Sequence, residues 1–478
     1  MIIFRAWLAL AVVEWIGVAT LVLLCTDLRR WTFTAKLGVS FGLGLTVLTI
    51  TLFLASLWGL RVVPSSGLVE GLILTVVAVV VRRDKIKSLL ARRTVLLPQP
   101  DVPAWQRALT SVLTILLVIL CGVVSATSLM EPLVEWDVVS SWSLKAEVLL
   151  REPVVISPYF KDTSKSYSNL EYPLLWPLAM AWIWSWTGAG DLETVKVLAP
   201  GLLFAFVFAF YGLLRHFHPK TNALLFTALL IGLPYFLSQT SRLMADPPLA
   251  YFVMTSFFFL YSWLNSHHPD DLRLGGFFVA AMLFTKSEGI MYFVTLFFII
   301  CAVWIWRGRD FRHCLSMTFW FLLVPATLTA AWFVFRTHNM NVAGEHSVYA
   351  GRLGPAVFFA NFHRVPELLI SSLYFFGSLN DWFLFWPILL VVLVSTVKHW
   401  IRPPLLFLFL ACLLPLLLKW YVFTVTTLSV EELMETTMPR MLLQDAPLCV
   451  FFLAELSRSA RMLQFPPSRG PAPEVEKG

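Results

Sequence analysis

The chain has 478 residues, 58% of them hydrophobic and 14% charged, with a formal net charge of +7. Its mean hydropathy is +0.76. Soluble domains carry about 25% charged residues, so a soluble globular protein is excluded. The basic excess falls in short loops between apolar runs, as the positive-inside rule expects, and does not suggest a nucleic-acid partner.

Apolar runs of roughly 18 or more residues recur along the chain and predict an all-α polytopic membrane protein with about 13 transmembrane helices. The predicted spans are 6–25, 38–60, 66–81, 104–128, 194–215, 221–240, 247–265, 272–285, 287–306, 315–335, 380–397, 404–425 and 441–456. The first run lacks a small-residue cleavage pattern and reads as a retained helix rather than a signal peptide. Loop 82–103, with Arg82, Arg83, Lys85, Lys87, Arg92 and Arg93, sets the orientation as cytoplasmic. Span 104–128 then leaves the cytoplasm, and 129–193 becomes a first large outer loop. The same alternation puts Arg215, His216, His218 and Lys220 inside, Asp246 outside, and Arg307, Arg309 and Arg312 inside. Lys398, Arg402, Arg458 and Arg461 also fall inside.

On this reading residues 1–103 hold the N-terminal helices and the basic loop. Residues 104–310 form a central module with the outer loop 129–193, 311–456 the C-terminal helices and 457–478 a cytoplasmic tail. The tail ends in a Pro-rich segment, 465–478, expected to be disordered. No internal repeat is visible. Cys25, Cys121, Cys301, Cys412 and Cys449 lie in apolar runs and Cys314 beside one, and no spacing among them suggests a disulfide or a zinc site.

The outer loop opens with Glu135-Trp136-Asp137-Val138-Val139-Ser140-Ser141-Trp142-Ser143-Leu144-Lys145-Ala146. At helical spacing Asp137, Ser141 and Lys145 share one face, and Val138, Val139, Trp142, Ala146, Leu149 and Leu150 the other. This predicts an amphipathic helix lying on the membrane surface, its acid facing water or a cavity. Charges that are merely solvated would give the same pattern. Segment 172–188 is apolar, but it contains Trp176, Trp182, Trp184 and Trp186 and two prolines. Counting it as a span would put Arg215 and Lys220 outside, so it is read as a helix lying in the outer interface or re-entering it. Tyr159, Lys161, Asp162, Lys165, Tyr167, Glu171 and Tyr172 suit a carbohydrate or phosphate site, and equally an ordinary solvated loop.

Further along, Asp246 precedes Pro247 and Pro248, where it serves as a helix cap, a site acid or both. Lys286 and Glu288 interrupt a long apolar run, at a depth where ionisable groups face a cavity or each other. Arg440 follows Glu431, Glu432 and Glu435 in the last outer loop and either snorkels or meets a ligand. His338, His346 and His363 are too widely spaced for a helical metal pair.

Taken together, the acid opening the first outer loop, "YPLLWP", "SRLMADPPLAYF" and "FTKSEG" resemble the GT-C glycosyltransferases. These polytopic enzymes take a sugar from a polyprenyl-phosphate carrier on the outer face of the membrane. They include protein mannosyltransferases and the aminoarabinose transferases of lipid A. The resemblance covers about residues 104–310, with an echo at Arg440. It implies a bacterial inner membrane location, a polyprenyl-phosphate sugar donor and a lipid, glycan or protein acceptor. It also implies Asp137 as catalytic base, Asp246 as the second acid, and Tyr172, Lys286 and Glu288 at the family's interfacial and "TKxEG"-like positions. Arg440 would face the lipid phosphate. Glu171-Tyr172-Pro173 stands where many relatives have His-Pro-Pro, which puts the role of that histidine in doubt here.

The residue types suit this chemistry by themselves. A carboxylate takes the proton of an attacking hydroxyl, and cations hold the leaving phosphate. Asp137 is assigned as the base, Asp246 as its partner or the acid that orients the acceptor, and Lys286 and Arg440 as phosphate contacts, with Arg242 in reserve and Lys145 as a further contact. No cofactor is predicted, and a divalent metal held by the two acids is left open. The competing reading is a transporter or flippase of lipid-linked sugars, which would place ionisable residues near the bilayer midplane or in repeats. A structural scaffold would not explain Lys286 and Glu288.

Overall fold

The computed structural model describes residues 1–90, 103–152, 157–188, 190–307, 310–339 and 351–462, with 84–90 and 339 as backbone only. Arg92, Arg93, Arg309, His346, the side chains of Lys85 and Lys87, and the Pro-rich end therefore lie outside the described residues. Within them every regular element is helical, as a chain rich in long apolar runs must be if its backbone groups are to be satisfied inside a bilayer.

The main helices are α1 (Ile2–Leu24), α2 (Phe33–Leu57), α3 (Pro64–Leu90), α4 (Ala104–Met130), α5 (Leu144–Arg151), α6 (Leu175–Thr187), α7 (Leu198–Leu214), α8 (Lys220–Ile231) and α9 (Pro234–Ser241). They continue as α10 (Asp246–Ser266), α11 (Pro269–Thr285), α12 (Gly289–Trp306), α13 (Val324–Asn339), α14 (Val365–Phe376), α15 (Phe385–Ser395), α16 (Leu405–Val425) and α17 (Met438–Ser459). Each predicted span coincides with helix. Among the described residues, eight helices are long and apolar enough to cross a membrane, or nine if the bent pair α8–α9 is one span. The two parts of that pair meet at 69°, at Gly232 and Pro234. Three of the four other predicted spans fall short for visible reasons. Helices α11 and α15 have 17 and 11 residues, and α17 carries Arg440, Asp445, Glu455 and Arg458.

Glycines let the backbones of α1, α2 and α7 approach closely. A Cβ on Gly17 would overlap the Ser40 carbonyl, and one on Gly212 would overlap the backbone of Ala35. This is the small-residue packing expected where no hydrophobic driving force separates helix from lipid. Helices α10 and α17 lie at the centre, almost wholly buried.

The bundle has two polar ends. At one, Asp246, Lys286 and Arg440 meet. At the other, Asp270 takes the Thr26 N–H at 2.7 Å and Arg30 pairs with Asp271 at 3.1 Å. There Arg82 also donates to the Leu23 carbonyl and Arg307 to that of Leu264. The 21 residues of α10 separate the ends by about 30 Å. Arg30, Arg82, Arg307 and Arg458 thus gather away from Asp246.

The outer-loop helices differ from expectation. Asp137–Ser143 forms a π-helical stretch that runs into α5. Its polar face is not on the surface: Ser141 donates to the Ser168 carbonyl, and Lys145 is fully buried, donating to the Asn169 carbonyl at 2.8 Å. Meanwhile Val139 is exposed. The 157–172 segment folds over the face that the helical wheel assigned to water. Likewise α6 is enclosed by α1, α2, α5 and α11, with Trp176, Trp182 and Trp184 buried. Their indole N–H groups donate to the carbonyls of Leu243, Ala9 and Asp191 rather than to lipid headgroups.

Candidate functional site

Four distant segments supply one charged cluster, and each is held by local geometry. Asp137 begins the π-helical stretch, where the wider turn packs Val138 and Trp142 inward. Asp246 begins α10. Just before it Leu243 adopts φ +60°, a left-handed conformation costly for a branched side chain. Burial of Leu243 and the hydrogen bond from Trp176 to its carbonyl hold it there. Lys286 and Glu288 form the tight step between α11 and α12. A Cβ on Gly289 would overlap the Met282 carbonyl, so the step closes only around glycine. Arg440 and Gln444 lie four residues apart on one face of α17.

Asp246 is the hub. Its Oδ1 accepts from Lys286 Nζ at 2.8 Å and Gln444 Nε2 at 2.6 Å. Its Oδ2 accepts from Arg440 Nε at 3.1 Å and Nη2 at 3.0 Å. The side chain is 0% exposed and does not cap its helix; the helix N-terminus adds favourable field for an anion. Lys286 also pairs with Glu288 Oε1 at 2.8 Å. Arg440 Nη2 reaches on to Asp137 Oδ2 at 2.7 Å, and there the cluster opens: the Arg440 and Asp137 side chains are 23% and 25% exposed. Three acids therefore face two cations, and Asp137 is the carboxylate open to solvent.

Tyr172 joins this cluster to Lys145. Its ring stacks on Trp142 at 5.3 Å, with Lys286 Nζ at 5.9 Å and Lys145 Nζ at 5.6 Å, within cation–π range. Burial pushes the Lys145 ammonium down to about 7, against the pull of Glu171 and Asp137. Burial, and next the charge of Glu288, holds the Tyr172 phenol well above its ordinary value. Lys145 stands behind Tyr172 rather than open to a ligand. Arg242, the reserve cation, is drawn aside into an ion pair with Glu135 at 2.9 Å. In the rest of the loop Tyr159 donates to Ser168 and Asp162 caps the following turn. Lys161 and Tyr167 are exposed. His338 and His363 are exposed. Among the described residues no group of three or more His, Cys, Asp or Glu is placed to hold a metal ion, and the six cysteines are free.

The sequence reading missed three sets of residues. Gln444 was detectable as the i+4 neighbour of Arg440. Lys419 is the single charged residue of α16 and Asp445 lies inside an apolar run; ionisable groups so placed mark function or pairing. They pair at 2.7 Å. Tyr292 donates to Asp445 at 2.6 Å, and Lys419 also donates to Tyr292 Oη and the Met441 carbonyl. At the far end, Glu455 joins His218, Tyr261 and Arg458. Comparison of the chain with protein-family models, curated proteins and solved structures finds no match.

Proposed function

We propose that the protein is an inverting glycosyltransferase that moves a sugar from a polyprenyl-phosphate donor to an acceptor hydroxyl on the outer face of a bacterial inner membrane. On this reading about thirteen helices cross the membrane, and the 129–193 loop covers the site. The observation that supports it is the meeting of Asp137, Asp246, Lys286 and Arg440, from four separate segments, at one end of the bundle, with a single carboxylate left accessible.

Asp137 acts as general base. Its Oδ1 has no hydrogen-bond partner among the described residues and takes the proton of the acceptor hydroxyl. That oxygen attacks the anomeric carbon while the bond from carbon to phosphate oxygen breaks, and the electron pair leaves with the polyprenyl phosphate. Arg440 stabilises that charge. Its Nη1 has no protein partner among the described residues, so it can donate to a phosphate oxygen while Nε and Nη2 stay on Asp246. Lys286 adds positive charge behind it. Asp246 holds the two cations in place and does not itself meet substrate, which narrows the role expected of it. Attack opposite the leaving group inverts the anomeric centre. The test is transfer from a polyprenyl-phosphate sugar by purified, folded protein. Asp137→Asn should lower turnover by about 10²–10⁴, and wild-type turnover in that variant would remove Asp137 as base.

One observation favours the second reading, a transporter or flippase of lipid-linked sugars: Lys419, Asp445 and Tyr292 form a buried ionic group inside the helices. Proteoliposomes separate the two. Movement of a labelled lipid-linked sugar across the bilayer without any transfer product, lost in Asp445→Asn, would replace the enzyme reading.

A further inference from the structure

The cluster contains buried polar atoms that the protein itself leaves unsatisfied. Glu288 Oε2, Gln444 Oε1 and Ser287 Oγ are out of solvent contact and have no hydrogen-bond partner. Gln444 is 0% exposed, and the Glu288 side chain is 11% exposed. Buried polar groups are nearly always partnered, and each exception calls for an explanation.

The chemistry of these atoms is set by what their other halves do. Gln444 Nε2 donates to the Asp246 carboxylate. A carboxylate only accepts, so this fixes the amide orientation and makes the free Gln444 atom an acceptor. Glu288 Oε1 is occupied by Lys286, so its free atom is a second acceptor carrying charge. Ser287 Oγ both donates and accepts. Two acceptors and a hydroxyl cannot satisfy a phosphate, which brings only acceptor oxygens near neutrality. They suit a group rich in O–H or N–H donors. Glu288 and Gln444 each bond one member of the Asp246–Lys286 pair and Ser287 lies between Lys286 and Glu288 in the chain, while Arg440 holds Asp246 Oδ2 and Lys286 and Gln444 hold Oδ1.

We infer that Ser287, Glu288 and Gln444 form a polyol subsite that reads the hydroxyl or amino groups of the transferred sugar, beside the phosphate contact at Arg440. This rests on the transferase reading and deepens it. It makes Glu288 and Gln444 specificity residues and assigns donor selection to the α11–α12 step and α17. A sugar lacking the matching hydroxyls would leave buried acceptors unpaired, which sites of this kind reject strongly.

The test is equilibrium binding to the full-length protein in nanodiscs, with bare polyprenyl phosphate, polyprenyl-phosphate mannose and polyprenyl-phosphate glucose as probes. Wild type should bind at least one sugar-bearing lipid more tightly than the bare phosphate. Glu288→Gln turns the free acceptor into a donor and should weaken that lipid by about ten- to a hundred-fold. Ser287→Ala, which leaves every ion pair in place, should weaken it several-fold. Ser287→Ala should leave affinity for the bare phosphate unchanged, and Glu288→Gln should weaken the sugar-bearing lipid by more than the bare phosphate. Equal loss for bare and sugar-bearing lipids, or no loss in either variant, overturns the subsite and leaves the transferase reading standing. Wild type that binds the bare phosphate and both sugar lipids equally also overturns the subsite alone. Wild type that binds none of the three overturns both.

Discussion

Arg440 touches two carboxylates whose surroundings differ, and the difference predicts opposite phenotypes. Asp246 is fully buried among four donors. Asp246→Asn leaves Lys286 and Arg440 without their shared counter-charge, and removing one partner of a buried pair costs about 3–5 kcal/mol. Thermal unfolding of purified protein should show that loss. Asp137 is partly open, so Asp137→Asn should change stability by about 1 kcal/mol or less, while under the proposed transferase function it lowers turnover. Equal destabilisation by the two variants would show that Asp137 too is mainly structural. Lys145 gives a pH prediction. Its folded-state value of about 7 lies below the ordinary lysine value, so between pH 7 and about 10 the unfolded chain binds the extra proton. The stability cost of burying this ammonium is then full below pH 7 and relieved as pH rises. Wild-type stability should climb relative to Lys145→Met from pH 7 to 9.5. Parallel curves would mean that the lysine stays charged in the fold.

Whole elements explain both what could be read from the chain and what could not. Apolar runs disclose helices because a backbone in lipid must satisfy itself within the segment, and so the predicted spans coincide with helix. Which faces those helices cover is a different matter. Tryptophan anchors equally well on a headgroup or on a carbonyl of a neighbouring helix, so composition placed α6 in the interface although protein encloses it. The wheel for 137–150 assumed 3.6 residues per turn and open water. A π-helical turn and the 157–172 segment removed both conditions. Asp137, Asp246, Lys286 and Arg440 were legible singly, because charges beside apolar runs are conspicuous. Their convergence was not, since no local pattern relates residue 137 to residue 440. At this scale α16 and α17 are joined by Lys419 and Asp445. Lys419→Met should cost about 3–5 kcal/mol by stranding Asp445, and the double variant Lys419→Met/Asp445→Leu should recover much of it. Additive losses would show that the two charges are independent. Gly289→Ala should push the α11–α12 step against Met282 and cost about 1–3 kcal/mol. An unchanged melting temperature would show that the step relaxes freely.

For the molecule as a whole the testable quantity is orientation. A cysteine at Lys161 should react with an impermeant thiol reagent from outside, and one at Lys398 only after the membrane is opened. Labelling of both from the same side would break the alternation of inside and outside. The native thiols are buried or half-buried, so background labelling is low. The make-up of the cluster also bears on how the protein is made. Chains emerge from the ribosome N-terminus first. Asp246 is therefore synthesised 40 residues before Lys286 and 194 before Arg440. Throughout that interval the acid at the head of α10 has either no counter-charge or one, and α17 then brings Arg440 and Gln444 together. A chain stopped before Met438 would therefore hold Asp137 and Asp246 with no Arg440 guanidinium between them.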